Sequence, residues 1–203
     1  MGRSNEVNEG FRTLGDNVKI YPGAKVYGRE FISIGSNVII DDFVFIYATA
    51  PLYIGSYVHI SSFCSISGGG TVVFEDFSGL ASGVRVVCGS DDFLGGGLTN
   101  PTVPAEYRNT RRSFVHIGRH AIVGANAVIL PGVTIGEGTA VGSGSVISKS
   151  LEPWSVYAGL PARRIKARPH EVILESERAL ASDGLFQPMA ASVFRDALNA
   201  SRS

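Results

Sequence analysis

Two adjacent acids, Asp91 and Asp92, stand in the stretch GSDDFLGGGLTNP (89 to 101), and a basic cluster of Arg108, Arg111 and Arg112 comes shortly after it. A carboxylate can take or orient a proton, but near its reference pKa of ~4 it is a weak base unless burial or a neighbouring acid raises it. Turn initiation or loop capping is the structural alternative for both acids. Guanidinium groups suit a diphosphate, or else salt bridges between subunits. Gly95 to Gly97 allow close backbone approach to a ligand, Pro101 and Pro104 stiffen the chain after them, and Phe93 and Asn100 are further candidate ligand contacts. Four histidines are present, His59, His116, His120 and His170. Four residues along a strand span roughly 13 Å, so His116 and His120 of one chain cannot ligate one ion. The two cysteines, Cys64 and Cys88, make neither a disulfide framework nor a zinc site, and no metal is expected.

These groups hang on a repeat. Aliphatic residues recur every six positions as Ile117, Val123, Ile129, Ile135, Val141 and Ile147, with glycine directly after four of them. The earlier half runs in triplets six apart, Leu14, Ile20, Val26; Ile34, Ile40, Ile46; Ile54, Ile60, Ile66; Phe74, Leu80, Val86, with corresponding members 20 apart. A second, mostly small position lies four after each anchor, from Val18 and Ala24 through Ala50 and Ser90 to Thr139 and Ser145. One such coil cannot bury its own apolar face, whereas stacked coils make continuous aliphatic ladders. Six coils are expected: 14 to 33, 34 to 53, 54 to 73, 74 to 88, 117 to 134 and 135 to about 152. Residues 89 to 116 fit no step and form an extruded loop, and long loops in compact domains are usually functional or disordered.

The organisation expected is a lead-in over 1 to 13, an all-β solenoid over 14 to 156, and a C-terminal turn and helical tail over 157 to 203. HEVILESERALASDG reads as a short amphipathic helix with Val172, Ile173, Leu174, Leu180 and Ala181 apolar, and another short helix is expected around Met189 to Leu198. The 203 residues carry Lys+Arg and Asp+Glu at 18 each, and 44% are hydrophobic. That balance argues against a general nucleic-acid or acidic-membrane surface. No apolar run approaches the ~20 residues of a membrane-spanning helix, and the start lacks a signal peptide's hydrophobic segment, so a cytoplasmic protein is expected. Gly2 is not read as a myristoylation site, because Glu6 stands where Ser or Thr is required.

The repeat, together with PGVTIGEG (131 to 138), VGSGSVISK (141 to 149) and AGLPAR (158 to 163), resembles the hexapeptide-repeat acyltransferases. It is most similar to their maltose and galactoside acetyltransferase branch and to the sugar acetyltransferases of envelope polysaccharide synthesis. The resemblance implies a left-handed parallel β-helix, an exception to the usual right-handed crossover. It also implies a homotrimer with active sites at subunit boundaries and acetyl-CoA lying along the C-terminal coils. On this pattern Ala125 and Ser143 admit the pantetheine arm, and Ser148-Lys149 matches a Thr-Lys pair after the last coil. Lys166, with Arg163 and Arg164, meets the cofactor's phosphates. A solvated basic turn is the alternative for those three.

The family's general base is typically a histidine where the chain leaves the coil, five residues after the last anchor, and here that residue is Asp91. An amine acceptor needs less help than a hydroxyl, since its neutral form already attacks, so the aspartate favours an amino sugar. A diphosphate held by the loop arginines would favour a nucleotide-linked one. His59 lies five after Ile54, the same repeat position as Asp91, and is placed on the first face of its coil. A face of five residues is about 16 Å wide, so His59 and Asp91 can meet only across a subunit boundary. In the galactoside branch the stretch matching His59 to Ser61 contributes to the acceptor pocket. The expectation is therefore an acetyl-CoA-dependent sugar N-acetyltransferase with His59, Asp91 or Asp92 handling the proton. The alternatives are a glycan O-acetyltransferase, a non-catalytic trimeric scaffold, and a zinc enzyme like the γ-class carbonic anhydrases.

Overall fold

The computed structural model describes residues 9 to 188 and Phe194. Its strands are two to four residues long in the coils and stack into three parallel sheets, one per face of a triangular prism. The first face carries Thr13–Leu14, Ile32–Ile34, Leu52–Ile54, Thr71–Phe74, Phe114–Ile117 and Val133–Ile135. The second carries Lys19–Ile20, Ile39–Ile40, His59–Ile60, Gly79–Leu80, Ile122–Val123 and Ala140–Val141, then Ser155–Gly159 and, antiparallel to it, Ala162–Ala167. The third carries Lys25–Tyr27, Phe45–Tyr47, Ser65–Ser67, Arg85–Val87, Val128–Ile129 and Val146–Ile147. The result is a left-handed parallel β-helix of six coils.

The anchors expected from the repeat form the core. Ile40, Ile46, Ile54, Ile60, Phe74, Val86, Ile117, Val123, Ile129, Ile135 and Ile147 are all fully buried. The ladder crosses the excursion without slipping, since Phe74 pairs with Ile117 and Leu80 with Val123. One detail of the inward pattern differs. After the third-face anchors Ile46 and Val86 the small buried residue comes two positions on, at Ala48 and Cys88, whereas Ala50 and Ser90 are only half-buried; after Ile129 it is Val133, four on as expected. The eight-residue step continues the strand alternation around that corner, which also buries Ile32, Leu52, Val72 and Val115.

The corners demand left-handed backbone, and its occupants are unexpected. Asn17, Asn37 and Asn126 have positive φ, as Asn tolerates, but so do Phe43, Tyr57, Phe63, Phe77, His120 and Trp154. A non-glycine residue there costs about 1–2 kcal/mol. Ring stacking between successive coils offsets part of it. Phe43 and Phe63 stack at 5.1 Å, Tyr57 and Phe77 at 5.0 Å, and Phe77 and His120 at 5.1 Å.

The expected boundaries shift. Phe114 already pairs with Thr71, so the excursion covers 89 to 113 rather than 89 to 116, and its stem is an antiparallel hairpin of Gly89–Ser90 with Arg111–Arg112. No break falls at 157, because Ser155–Gly159 continues the second face. The helix α1 (Glu171–Ser182) forms, but none of its residues is buried and Val172 is 74% exposed. It is tethered by charge: Glu177 accepts from Arg119 Nη1 and His120 Nε2, each at 2.7 Å. Beyond it Phe186 packs on Tyr57 and Phe77, and Phe194 covers Val73. The second helix expected around Met189 to Leu198 lies, apart from Phe194, outside the described residues.

Candidate active site

His59 projects from the second face, not the first, because it immediately precedes the inward anchor Ile60 on the strand His59–Ile60. Its Nε2 lies 3.0 Å from Asp41 Oδ2. A carboxylate only accepts, so Nε2 donates in this pair, and in a neutral ring Nδ1 is then the acceptor. Sequence reasoning missed Asp41. Its signal was present all the same: Ile39 pairs with His59, so Asp41, two residues on, is the diagonal neighbour on the same outward side. The imidazole lines a cavity of about 350 Å³ together with Tyr57, Ser61, Phe77, Gly79 and Ile122. His59 and Ser61 both line this cavity.

Asp91 and Asp92 lie elsewhere, at the root of the excursion, beside a cavity of about 220 Å³ that Phe93, Arg111 and Pro131 also line. That cavity shares no lining residue with the one beside His59. The two acids differ in their duties. Asp92 is 8% exposed and accepts from Leu94 N at 2.7 Å, Gly96 N at 2.8 Å and Asn109 Nδ2 at 2.9 Å. The Leu94 amide, then the Asn109 amide, then Gly96 and the Arg111 charge hold its carboxyl below the usual range against its desolvation. Asp92 therefore braces the loop through three hydrogen bonds. Asp91 is half-buried and accepts from Asn100 N at 2.9 Å and Thr110 Oγ1 at 3.2 Å.

The remaining candidates divide by location. Asn100 has left-handed backbone, and its Oδ1 accepts from Thr102 N at 3.0 Å, so its side chain shapes the loop. Arg108 has a buried Nε with no hydrogen-bond partner among the described residues. Arg111 and Arg112 are exposed on the hairpin stem, and Phe93 is 90% exposed. Ala125 and Ser143 occupy one corner on successive coils, where Gly144 N donates to Ala125 O at 2.8 Å. Space between these coils is minimal, since a Cβ on Gly124 would lie 2.5 Å from Ser143 N. Ser148 and Lys149 are exposed just past the last third-face strand. Arg163, Arg164 and Lys166 share the exposed terminal strand of the second face, where Arg164 Nε donates to Ser155 Oγ at 3.1 Å.

His116 and His120 are bound to carboxylates, and the His170 ring packs against Trp154 with centroids 4.9 Å apart. His116 Nε2 lies 2.8 Å from Glu75 Oε1, and His120 is stacked on Phe77 and bound to Glu177. Among the described residues no group of three His, Cys, Asp or Glu side chains is placed to hold a metal ion.

Stacked six-residue steps, a loop extruded from the third face and an exposed basic strand on the last coil define a hexapeptide-repeat transferase. Residues 114 to 149 match the family described as bacterial transferase hexapeptide (six repeats). The chain is 38% identical over 182 residues to a dTDP-4-amino-4,6-dideoxy-D-glucose acyltransferase of Escherichia coli, covering 89% of this chain and 91% of that protein. It is 30% identical over 171 residues to the putative lipopolysaccharide biosynthesis O-acetyl transferase WbbJ of E. coli K12, covering 82% and 77%. Among solved structures, the N-acyltransferase AntD from Bacillus cereus, in complex with dTDP and 3-hydroxybutyryl-CoA, superposes with a TM-score of 0.84. The identity is 37%, over 91% of this chain and 97% of that one. The chain belongs to the hexapeptide-repeat sugar acyltransferases.

Proposed function

We propose that this protein is a trimeric enzyme of the cytoplasm that transfers an acetyl group from acetyl-CoA to the amine of a dTDP-linked amino sugar for envelope polysaccharide synthesis. The observation that carries the choice of amine is Asp91. A carboxylate stands at the position where the family usually has a histidine, and both of its oxygens already accept hydrogen bonds within the loop. Such a group does not deprotonate an alcohol readily, but a neutral amine attacks without prior deprotonation. The amine nitrogen adds to the thioester carbonyl, the tetrahedral oxyanion collapses with cleavage of the C–S bond, and the coenzyme thiolate leaves. The proton lost from nitrogen passes to His59 Nδ1 or to Asp91.

The separation of these two groups supports a shared site. His59 and Asp91 line different cavities of one chain, while Phe93, Leu94, Leu98 and Tyr107 of the excursion are 60–90% exposed. Those apolar side chains fit against a second copy, which would bring one subunit's Asp91 to another's His59. Ala125 and Ser143 would admit the pantetheine arm, and Ser148, Lys149, Arg163, Arg164 and Lys166 would meet the phosphates. Arg108, Arg111 and Arg112 are left for the nucleotide diphosphate.

One observation favours a hydroxyl acceptor instead. His59 held by Asp41 is the oriented imidazole that an alcohol needs. Thiol release from acetyl-CoA, measured over dTDP-linked amino sugars, dTDP-linked neutral sugars and neutral glycans, decides between the two. Turnover confined to amines supports the proposal, and turnover confined to hydroxyls replaces it. Sedimentation of a single species at one-chain mass would sink the shared site.

A further inference from the structure

Gly79 occupies a place where the fold asks for no glycine. It sits on the second face, paired with His59 on one side and Ile122 on the other. Its backbone is outside the left-handed region, and a Cβ there would meet only His59 O, at an ordinary 3.6 Å. By contrast, a Cβ on Gly15, Gly35 or Gly55 would lie 2.5–2.6 Å from the next coil. The outward row that holds Gly79 is otherwise filled by side chains: Lys19, Ile39, His59, Ile122 and Ala140. A β-branched residue, such as the Ile39 and Ile122 of the same row, would strengthen a strand that glycine weakens.

Gly79 lines the cavity beside His59 together with Ser61, Phe77 and Ile122, and contributes no side chain to it. We propose that Gly79 is the residue that sets which acceptors fit: the sugar ring lies over its bare backbone, held at the edges by Phe77 and Ile122. This rests on the assignment of that cavity to the acceptor. A side chain at 79 would stand where the ring does, while the coenzyme side on the later coils would be untouched.

Gly79→Ala and Gly79→Val test the idea, with kcat/KM measured separately for acceptor and acyl-CoA and with thermal unfolding as the control. The expected result is a graded loss in kcat/KM for the amino sugar, about tenfold or more for valine and smaller for alanine. KM for acyl-CoA should stay unchanged, and the unfolding temperature should not fall. Unchanged acceptor kinetics in Gly79→Val, or a loss confined to acyl-CoA, would overturn the assignment. So would a valine variant that no longer folds, since the fold is claimed to have room. Failure of the underlying function looks different: the unsubstituted enzyme would then acylate no nucleotide-linked amino sugar at all.

Discussion

His59 and Asp41 meet across adjacent coils, with Nε2 and Oδ2 3.0 Å apart. Because the carboxylate fixes which ring nitrogen carries the hydrogen, the two act as one unit. His59→Ala should lower kcat about 100-fold if the ring takes the proton, with the acceptor KM little changed. Asp41→Ala should lower kcat by a smaller factor, of about tenfold, because the ring then samples both tautomers. Steady-state kinetics at saturating acyl-CoA check this, and full activity in His59→Ala removes the imidazole from the mechanism.

Asp92 ties the excursion together through Leu94, Gly96 and Asn109. Asp92→Ala frees three donors at once, so residues 93 to 110 should become the first site of cleavage in limited proteolysis. The β-helix below should keep its melting temperature, since Asp92 touches none of its ladders. Activity should fall mainly through substrate binding. Cleavage no faster than in the unsubstituted protein would refute the scaffold role.

Glu75 predicts the response to acid. Burial pushes its carboxyl up, but the hydrogen bond and charge of His116 and the backbone amide of Arg119 outweigh that and leave it below the usual range. A depressed acid contributes stability that is fully present above its unfolded-state value of about 4.3 and is lost as pH falls through the lower folded value. Glu75→Gln should therefore melt lower than the parent near pH 6, with the gap closing below about pH 4. Calorimetry across that range reads it, and a gap independent of pH would contradict the argument.

Gly138 has a φ of 64°, and a Cβ added to it would fall 2.1 Å from the Trp154 ring. Gly138→Ala should cost about 1–3 kcal/mol through overpacking and backbone strain. For a chain of this size that lowers the melting temperature by roughly 2–12 °C. A variant melting within a degree of the parent would show that the indole moves aside freely.

The period of the aliphatic anchors made the six coils legible, because a solenoid repeats one packing problem and the sequence repeats its answer. What period alone does not encode is the third dimension of each corner. Phe43, Tyr57, Phe63 and Phe77 stack in left-handed corners, a tertiary gain that overrides local preference. The position of His59 in the repeat was legible and its face was not, since the repeat gives the anchors Ile54 and Ile60 but not where between them the corner falls. Asp91 and Asp92 are neighbours of one type, and only their burial and hydrogen-bond partners in the folded loop tell them apart. The charged tether of α1 was invisible because Glu177 and His120 are 57 residues apart.

The terminal strand Ala162–Ala167 belongs to the same sheet as His59, five ladder steps away. At about 4.8 Å per step that is roughly 24 Å along the stack. The β-helix is therefore a ruler graduated in whole coils. Adding or losing a residue swells a corner and leaves this distance alone, whereas adding or losing a coil changes it by one full graduation. The span between the cavity beside His59 and the basic strand can drift only in jumps, and substrates of intermediate length must bend to fit it.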